Sequence, residues 1–328
     1  MDRSLAISLF CLTALLLVCF VAAICFGAQE IAPPDLIAAV RGKEGLAHDL
    51  IFGQRLPRAF AAIVIGASLA VAGLVMQSLA RNPLADPSLT GVNAGAALFV
   101  VIGLMSFGGA LPRLWVAALA LTGAAVATVL VRLLAGRGDA TLRLPLAGAA
   151  LASICMSVVA LVVLMNPEAR NIYRFWMVGS LAMADAQGLL VLTPVALVGI
   201  GMALVAARGI EAMMLSDEFG AALGISPSRT LGLSLGAIAF TAGTSVALAG
   251  PVGFIGLVAP HLARRMSRGG LTVLILISAP LGASLALFAD TVGRVAFRPS
   301  ELPIGIVLAM IGAPAFMIFV RQTLRARA

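Results

Sequence analysis

Lysine occurs once in the 328 residues, at Lys43, between Gly42 and Glu44. A phosphate-binding loop needs a Gly-Lys-Ser/Thr sequence whose lysine reaches the nucleotide phosphates. The chain therefore does not hold ATP by that device. Histidine is confined to His48 and His261, in different predicted loops. Spacing alone builds no zinc or haem ligand cluster from them, and no His-Glu-x-x-His helix or Gly-x-Ser-x-Gly elbow occurs. The four cysteines, Cys11, Cys19, Cys25 and Cys155, fall in apolar segments without metal-ligand spacing. They read as small packing residues, and no metal or cofactor is expected. Acids are nearly absent from the apolar segments, so a buried proton relay of Asp, Glu or His has little support. Asp290, beside Thr291 and Arg294 at the outer end of the ninth segment, reads as a charge paired with arginine.

Charged residues make up only 11% of the chain, against about 25% in a soluble domain. Hydrophobic residues are 61% and the mean hydropathy is +1.10. A membrane span needs roughly 20 apolar residues. Ten candidates occur, near 5–27, 56–79, 91–108, 112–135, 143–165, 187–208, 230–250, 253–263, 271–289 and 303–321. The fold class expected is all-α: one polytopic domain over 1–328 with ten transmembrane helices. The eighth segment is short and Gly-rich, as a half-helix or a tilted one would be. The first is longer than a signal-peptide core and reads as a retained anchor.

The net charge of +8 is distributed as topology, not as a face for nucleic acid. With ten spans and the N-terminus inside, thirteen basic and six acidic residues fall on the inner side. The outer side then holds nine basic and eight acidic. This is the positive-inside bias, and it puts both termini in the cytoplasm.

Residues Ala242 to His261 are almost wholly apolar yet include Gly243, Gly250, Pro251, Gly253, Gly256 and Pro260. In lipid, a broken backbone survives only where protein or a water-filled cavity satisfies its freed polar groups. The stretch has a counterpart: Gly66 to Gly73 reads GASLAVAG and Gly243 to Gly250 reads GTSVALAG. At the same offset Pro83 falls on Pro260. Chance in an Ala/Gly-rich chain is one explanation. Copies five spans apart run in opposite directions, which is the inverted repeat of many transporters, here spans 2–5 and 7–10.

The longest inner loop between spans is 209–229. Within it, Leu215 to Gly224 reads as a short helix. Ser216 or Asp217 can cap it, acids in its first turn suit the helix dipole, and Gly224 can close it in the αL conformation. It is either a surface helix lying on the bilayer or a helix that docks on a cytoplasmic ATPase. The rival energy source is an ion gradient, in a secondary carrier.

Several blocks together resemble the FecCD-type permeases, the membrane subunits of ABC importers for iron-siderophores, haem and vitamin B12. They are R-L-P-R at 55–58, GASLAVAG, Gln77, R-N-P-L-A-D-P at 81–87 and G-V-N-A-G-A at 91–96. Then come L-A-G at 146–148, F-W-M-V-G-S-L at 175–181, L-G-I at 223–225 and A-L-A-G-P-V-G-F-I-G-L-V-A-P-H at 247–261. A-D-T-V-G-R at 289–294 and E-L-P-I-G-I at 301–306 complete the order.

The resemblance implies a bacterial inner-membrane protein with ten helices per subunit and no ATPase activity of its own. Its implied partners are two cytoplasmic ABC ATPase subunits, a second permease subunit, identical or paralogous, and a periplasmic or lipid-anchored substrate-binding protein. It assigns Arg55, Arg58 and Arg294 to docking of the binding protein. Asn82 and Leu84 match one cytoplasmic gate, Thr141 and Leu142 the other; Leu142 departs from the small polar residue often found there. Ser216, Asp217, Glu218, Gly220, Ala221, Leu223 and Gly224 match the coupling helix. Asn166-Pro167 with Tyr173 to Trp176, and the V-N-A-G-A block, resemble ferric-catecholate permeases more than vitamin B12 ones. Arg170 and Arg174 would then attract an anionic chelate to the outer mouth, or would only anchor a helix at the headgroups.

Overall fold

The computed structural model describes residues 3–107, 111–136, 140–182, 184–215, 222 and 224–325. Among them the secondary structure is entirely helical. The long helices are α1 (Arg3–Cys25), α3 (Leu56–Leu79), α4 (Val92–Ser106), α5 (Arg113–Ala135) and α6 (Ala140–Met165). They continue with α8 (Ala186–Leu215), α9 (Pro227–Ala249), α10 (Ile255–Met266), α11 (Leu271–Val295) and α12 (Ile304–Arg325). Two shorter helices, α2 (Pro33–Val40) and α7 (Pro167–Met177), lie in the connections. Seven helices among the described residues are long and apolar enough to cross a membrane. Val92–Ser106 and Ile304–Pro314 are apolar but shorter, and α10 has 12 residues.

Helices α3 and α9, the two that carry the repeated motif, form the centre and are buried along most of their length. The cause is side-chain size. Both are rich in Gly, Ala and Ser, and small residues let membrane helices approach backbone to backbone. A methyl group added at Gly66 would lie 2.2 Å from the Gly282 carbonyl oxygen, and one at Gly73 2.0 Å from that of Gly256. Arg58 meets Asp290 where Gly66 meets Gly282, so α3 and α11 run antiparallel. The α4–α5 pair uses the same device at Gly95 and Gly123.

Hydroxyls are tolerated in this core because they bond back within their own helix. Ser78 donates to Leu74 O at 2.8 Å, Thr128 to Ala124 O at 2.9 Å and Ser234 to Thr230 O at 2.7 Å. By contrast α1 exposes most of its surface, with Phe10, Leu17, Val18 and Val21 outward. An apolar outer face of this kind is what lipid requires.

Three boundaries differ from the sequence reading. Helix α8 runs to Leu215 instead of ending near 208, since Ala203 to Leu215 contains good helix formers and no proline. The connection 216–226 is correspondingly shorter than the loop read at 209–229. The second half of the connection between α1 and α3, read as a loop, is helical, through Leu46–His48 and a π turn at Asp49–Arg55 that leads into α3. Helix α11 continues six residues beyond the expected limit, to Val295, so Asp290 lies inside it and not at its end.

Candidate functional site

The broken stretch 250–254 separates α9 from α10 level with the middle of α3. Ser245 of α9 reaches Ile65 O at 3.4 Å, and Gly256 packs on Gly73. Gly250 takes φ +74°, and a Cβ there would fall 2.1 Å from the Trp176 carbonyl oxygen. Freed backbone groups are satisfied by protein, as membrane burial demands: Ser180 N donates to Ala249 O at 2.8 Å and Gly305 N to Gly179 O at 3.1 Å. The turn is thus locked to the segment after α7, which in turn holds the start of α12.

At one end of the bundle lies an ion cluster. Arg58 donates to Asp290 through Nε at 2.9 Å and pairs with Glu301 at 2.6 Å. Arg294 pairs with the same aspartate at 3.0 Å and donates to Ala23 O. Arg55 donates to the carbonyls of Ile24, Cys25 and Gln29 at 2.7, 2.9 and 2.5 Å. The three arginines and Asp290 are buried, whereas Glu301 is one-third exposed. The three arginines and Glu301 line a cleft of about 260 Å³ with Gln29, Leu50, Gln54 and Pro299. The side chains expected to reach outward thus spend most of their donors inside the chain. A carboxylate shared by two guanidiniums is favourable only in such a fully paired arrangement.

Helix α7 sits over α4 and α6. Tyr173 and Trp176, with ring centroids 6.5 Å apart, pack on Ala97, Val101 and Val159. Asn166 caps its start by accepting from Glu168 N at 3.0 Å. Arg170 and Arg174, one turn apart, are both exposed and share one face of the helix.

At the opposite end, Arg81 leaves α3 with φ +47°. Asn82 and Leu84 follow, exposed, with Asn82 Oδ1 accepting from Leu84 N at 2.9 Å. Asp86 accepts from Ser88 N at 2.9 Å and starts the 3-10 turn Pro87–Thr90. That turn rests on Gly148 of the L-A-G block, where a Cβ would come 1.6 Å from Leu89 O. Leu142 is exposed, and Thr141 is helical, in the first turn of α6. Asn82 and Leu84 thus lie in one short loop, whereas Thr141 and Leu142, expected between two spans, lie in the first turn of α6, which begins at Ala140, three residues before the expected limit. Gly224 has φ +75°, the left-handed conformation expected of it. Ser216, Asp217, Glu218, Gly220, Ala221 and Leu223 lie outside the described residues.

Sequence reasoning missed four polar links at this end. Gln77, buried, donates to Gly256 O at 2.9 Å and accepts from Arg264. Glu211 accepts from Leu271 N and so caps α11. Arg81 donates to Met213 O. Arg132 donates to Gly136 O at 3.0 Å and to Ser228 Oγ at 3.3 Å. Gln77 and Arg81 stand in or beside quoted motifs, but their partners are 132 or more positions away in sequence. Among the described residues no group of three His, Cys, Asp or Glu side chains could hold a metal ion.

Residues 15–322 match the model of the FecCD transport family. The chain is 36% identical over 323 residues to the ferric enterobactin transport system permease protein FepD of Escherichia coli K12, covering 96% of this chain and 95% of that one. It is likewise 36% identical over 322 residues to the vitamin B12 import system permease protein BtuC of Escherichia coli O139:H28, covering 94% and 93%. The fold is similar to that of a solved metal-chelate type ABC transporter in an inward-facing conformation. The TM-score there is 0.85 at 27% identity, over 97% of this chain and 99% of that one.

Proposed function

The chain belongs to the FecCD transport family, and from that membership we propose that it is the permease subunit of an ATP-driven importer for a ferric siderophore, a catecholate by preference. The observation that carries the reading is similarity along nearly the whole chain to permeases of such importers. The single lysine stands outside any phosphate loop. ATP is therefore bound and hydrolysed by two separate cytoplasmic subunits. Ser216 to Gly224 forms the coupling helix that docks on them. A second permease subunit completes the pathway, and a binding protein delivers the chelate from outside.

The topology we propose has ten membrane helices, α1, α3–α6 and α8–α12, with both termini in the cytoplasm. Spans 2–5 and 7–10 are inverted copies. Packing supports this: α3 lies on α11 as α9 lies on α5, and α4 on α5 as α10 on α11. These are the pairs that a two-fold axis between the copies would exchange. Asn82 and Leu84, with Thr141 and Leu142, form the inner gate. Smooth walls of Ala, Gly, Met and Leu suit passage of a large solute that is never held tightly.

Identity does not separate siderophore from vitamin B12, since both relatives stand at 36%. The exposed pair Arg170 and Arg174 favours the siderophore. Ferric catecholates are anionic, and a cationic mouth raises the local concentration of an anion. The same field argument applies to docking. The cleft is lined by three guanidiniums, Arg55, Arg58 and Arg294, and one carboxylate, Glu301; even with the buried Asp290 that pairs with Arg58 and Arg294 counted, it presents net positive charge to an acidic partner. Such charge sets docking register and on-rate.

The coupling assignment is tested by reversing the charge of Glu218 and making Leu223 bulky and charged. Loss of the co-purifying ATPase, with the membrane subunit still folded, is the expected result. Normal assembly and normal uptake would remove the assignment.

A further inference from the structure

The three arginines of the cleft differ in how firmly their donors are held. Arg55 directs Nη1 to the carbonyls of Ile24 and Cys25 and Nη2 to that of Gln29, so it serves the end of α1. Arg294 pairs with Asp290 and donates to Ala23 O, both inside the bundle. Arg58 holds Asp290 through Nε and Nη2, at 2.9 and 2.8 Å. Its Nη1 goes elsewhere, to Glu301 Oε2 at 2.6 Å. The Asp290 side chain is 1% exposed and the Glu301 side chain 34%. Glu301 is thus the partner that water, or another carboxylate, can reach. Its chain segment is lightly held too. Ala296, Phe297, Pro299 and Ser300 are exposed, and Pro299 lines the cleft beside Glu301. Arg298, in the same segment, pairs with Glu30, a side chain 80% exposed. Beyond Glu301 the backbone is fixed again: Leu302 N donates to Gly293 O at 2.9 Å and Gly305 N to Gly179 O at 3.1 Å.

We propose that Glu301 is a specificity-determining placeholder: it occupies, on Arg58, the place of a carboxylate supplied by the acidic docking partner, and it is displaced when that partner binds. The inference rests on the docking role proposed above and adds regulation to it. The energetic order favours exchange at Glu301. Breaking the Asp290 pairs leaves buried charges without partners, which costs far more than breaking a pair that opens on water. An incoming carboxylate that replaces Glu301 keeps Arg58 fully paired, and the released Glu301 returns to solvent. Residues 296–301 can let it go, since most of them are exposed, while the bonds of Leu302 and Gly305 keep the start of α12 in place. The consequence is discrimination. A lone carboxylate has to compete with one already tethered at high effective concentration, so only a partner with several well-placed contacts displaces it. Specificity of this kind comes from a built-in competitor as much as from attraction.

The test uses the full-length chain in nanodiscs at low ionic strength, where charge contacts are least screened. The probe is a fluorescein-labelled tetraglutamate peptide, with labelled tetraglutamine as the uncharged control, and binding is read by anisotropy. In parallel, a nitroxide on Ser300→Cys, in a chain whose four native cysteines are replaced by alanine, reports the mobility of the segment. Tetraglutamate is expected to bind and, over the same concentration range, to mobilise the label; tetraglutamine does neither. Glu301→Gln is expected to tighten binding by about twofold to fivefold. It leaves the label mobile without peptide and the melting temperature little changed. Arg58→Gln is expected to weaken binding by about tenfold. If Arg58→Gln binds tetraglutamate as well as the wild type does, the cleft is not the docking site and the placeholder falls with that reading. If Arg58→Gln weakens binding but Glu301→Gln does not tighten it, docking stands and the placeholder is overturned. Tightening with a Ser300 label that peptide does not mobilise also overturns it, since Glu301 would then act only as a repelling charge.

Discussion

Asp290 lies between the guanidiniums of Arg58 and Arg294, and all three are buried. Removing the shared carboxylate strands two charges in a poorly solvated site. Asp290→Ala is expected to cost about 3–5 kcal/mol, read as a lowered melting temperature in detergent, with Asp290→Asn costing less because it still accepts hydrogen bonds. Arg170 and Arg174 behave differently, being exposed and free to act through their field. Replacing both with Gln is expected to slow uptake of an anionic chelate by about tenfold at low ionic strength and by little at high salt. An equal loss at all salt concentrations would assign them to packing. The pairing of Asp290 with Arg294 was legible in the sequence, because the two stand one helical turn apart. The burial of Arg55 was not. Its acceptors are backbone carbonyls at Ile24, Cys25 and Gln29, and backbone positions leave no mark on residue type.

At the scale of the element, the glycines matter as contact surfaces. Gly66 and Gly73 read as a motif, but only the fold reveals that they face Gly282 and Gly256. Any side chain at these crossings forces the helices apart, so Gly73→Val is expected to destabilise the bundle by about 1–3 kcal/mol. The same change at Gly232, which has no neighbour within 4 Å of an added Cβ, provides the control. Equal effects at the two positions would mean that helix propensity, not packing, is being measured. Helix existence was legible from apolar length. Helix ends were less so. Helix α8 overran its apolar run because helix propensity continues through Glu211 to Leu215, and α11 overran because Asp290 is paired instead of solvated.

The molecule as a whole combines a rigid centre with loops that share polar ties. The centre was foreshadowed by GASLAVAG and GTSVALAG, which lie on the two most enclosed of the candidate spans among the described residues. The ties were invisible in the sequence, because Arg81 and Met213, or Arg132 and Ser228, are brought together only by the packing of α3, α5, α8 and α9. The central claim is that this chain conducts a ferric catecholate at the expense of ATP hydrolysed by a partner. Its most direct test is ATP hydrolysis and uptake by the reconstituted transporter with its binding protein, supplied with ferric enterobactin, haem or cobalamin. The account predicts that ferric enterobactin stimulates hydrolysis and accumulates inside the vesicles. Stimulation by cobalamin with none from ferric enterobactin, or uptake that continues without ATP, would contradict it.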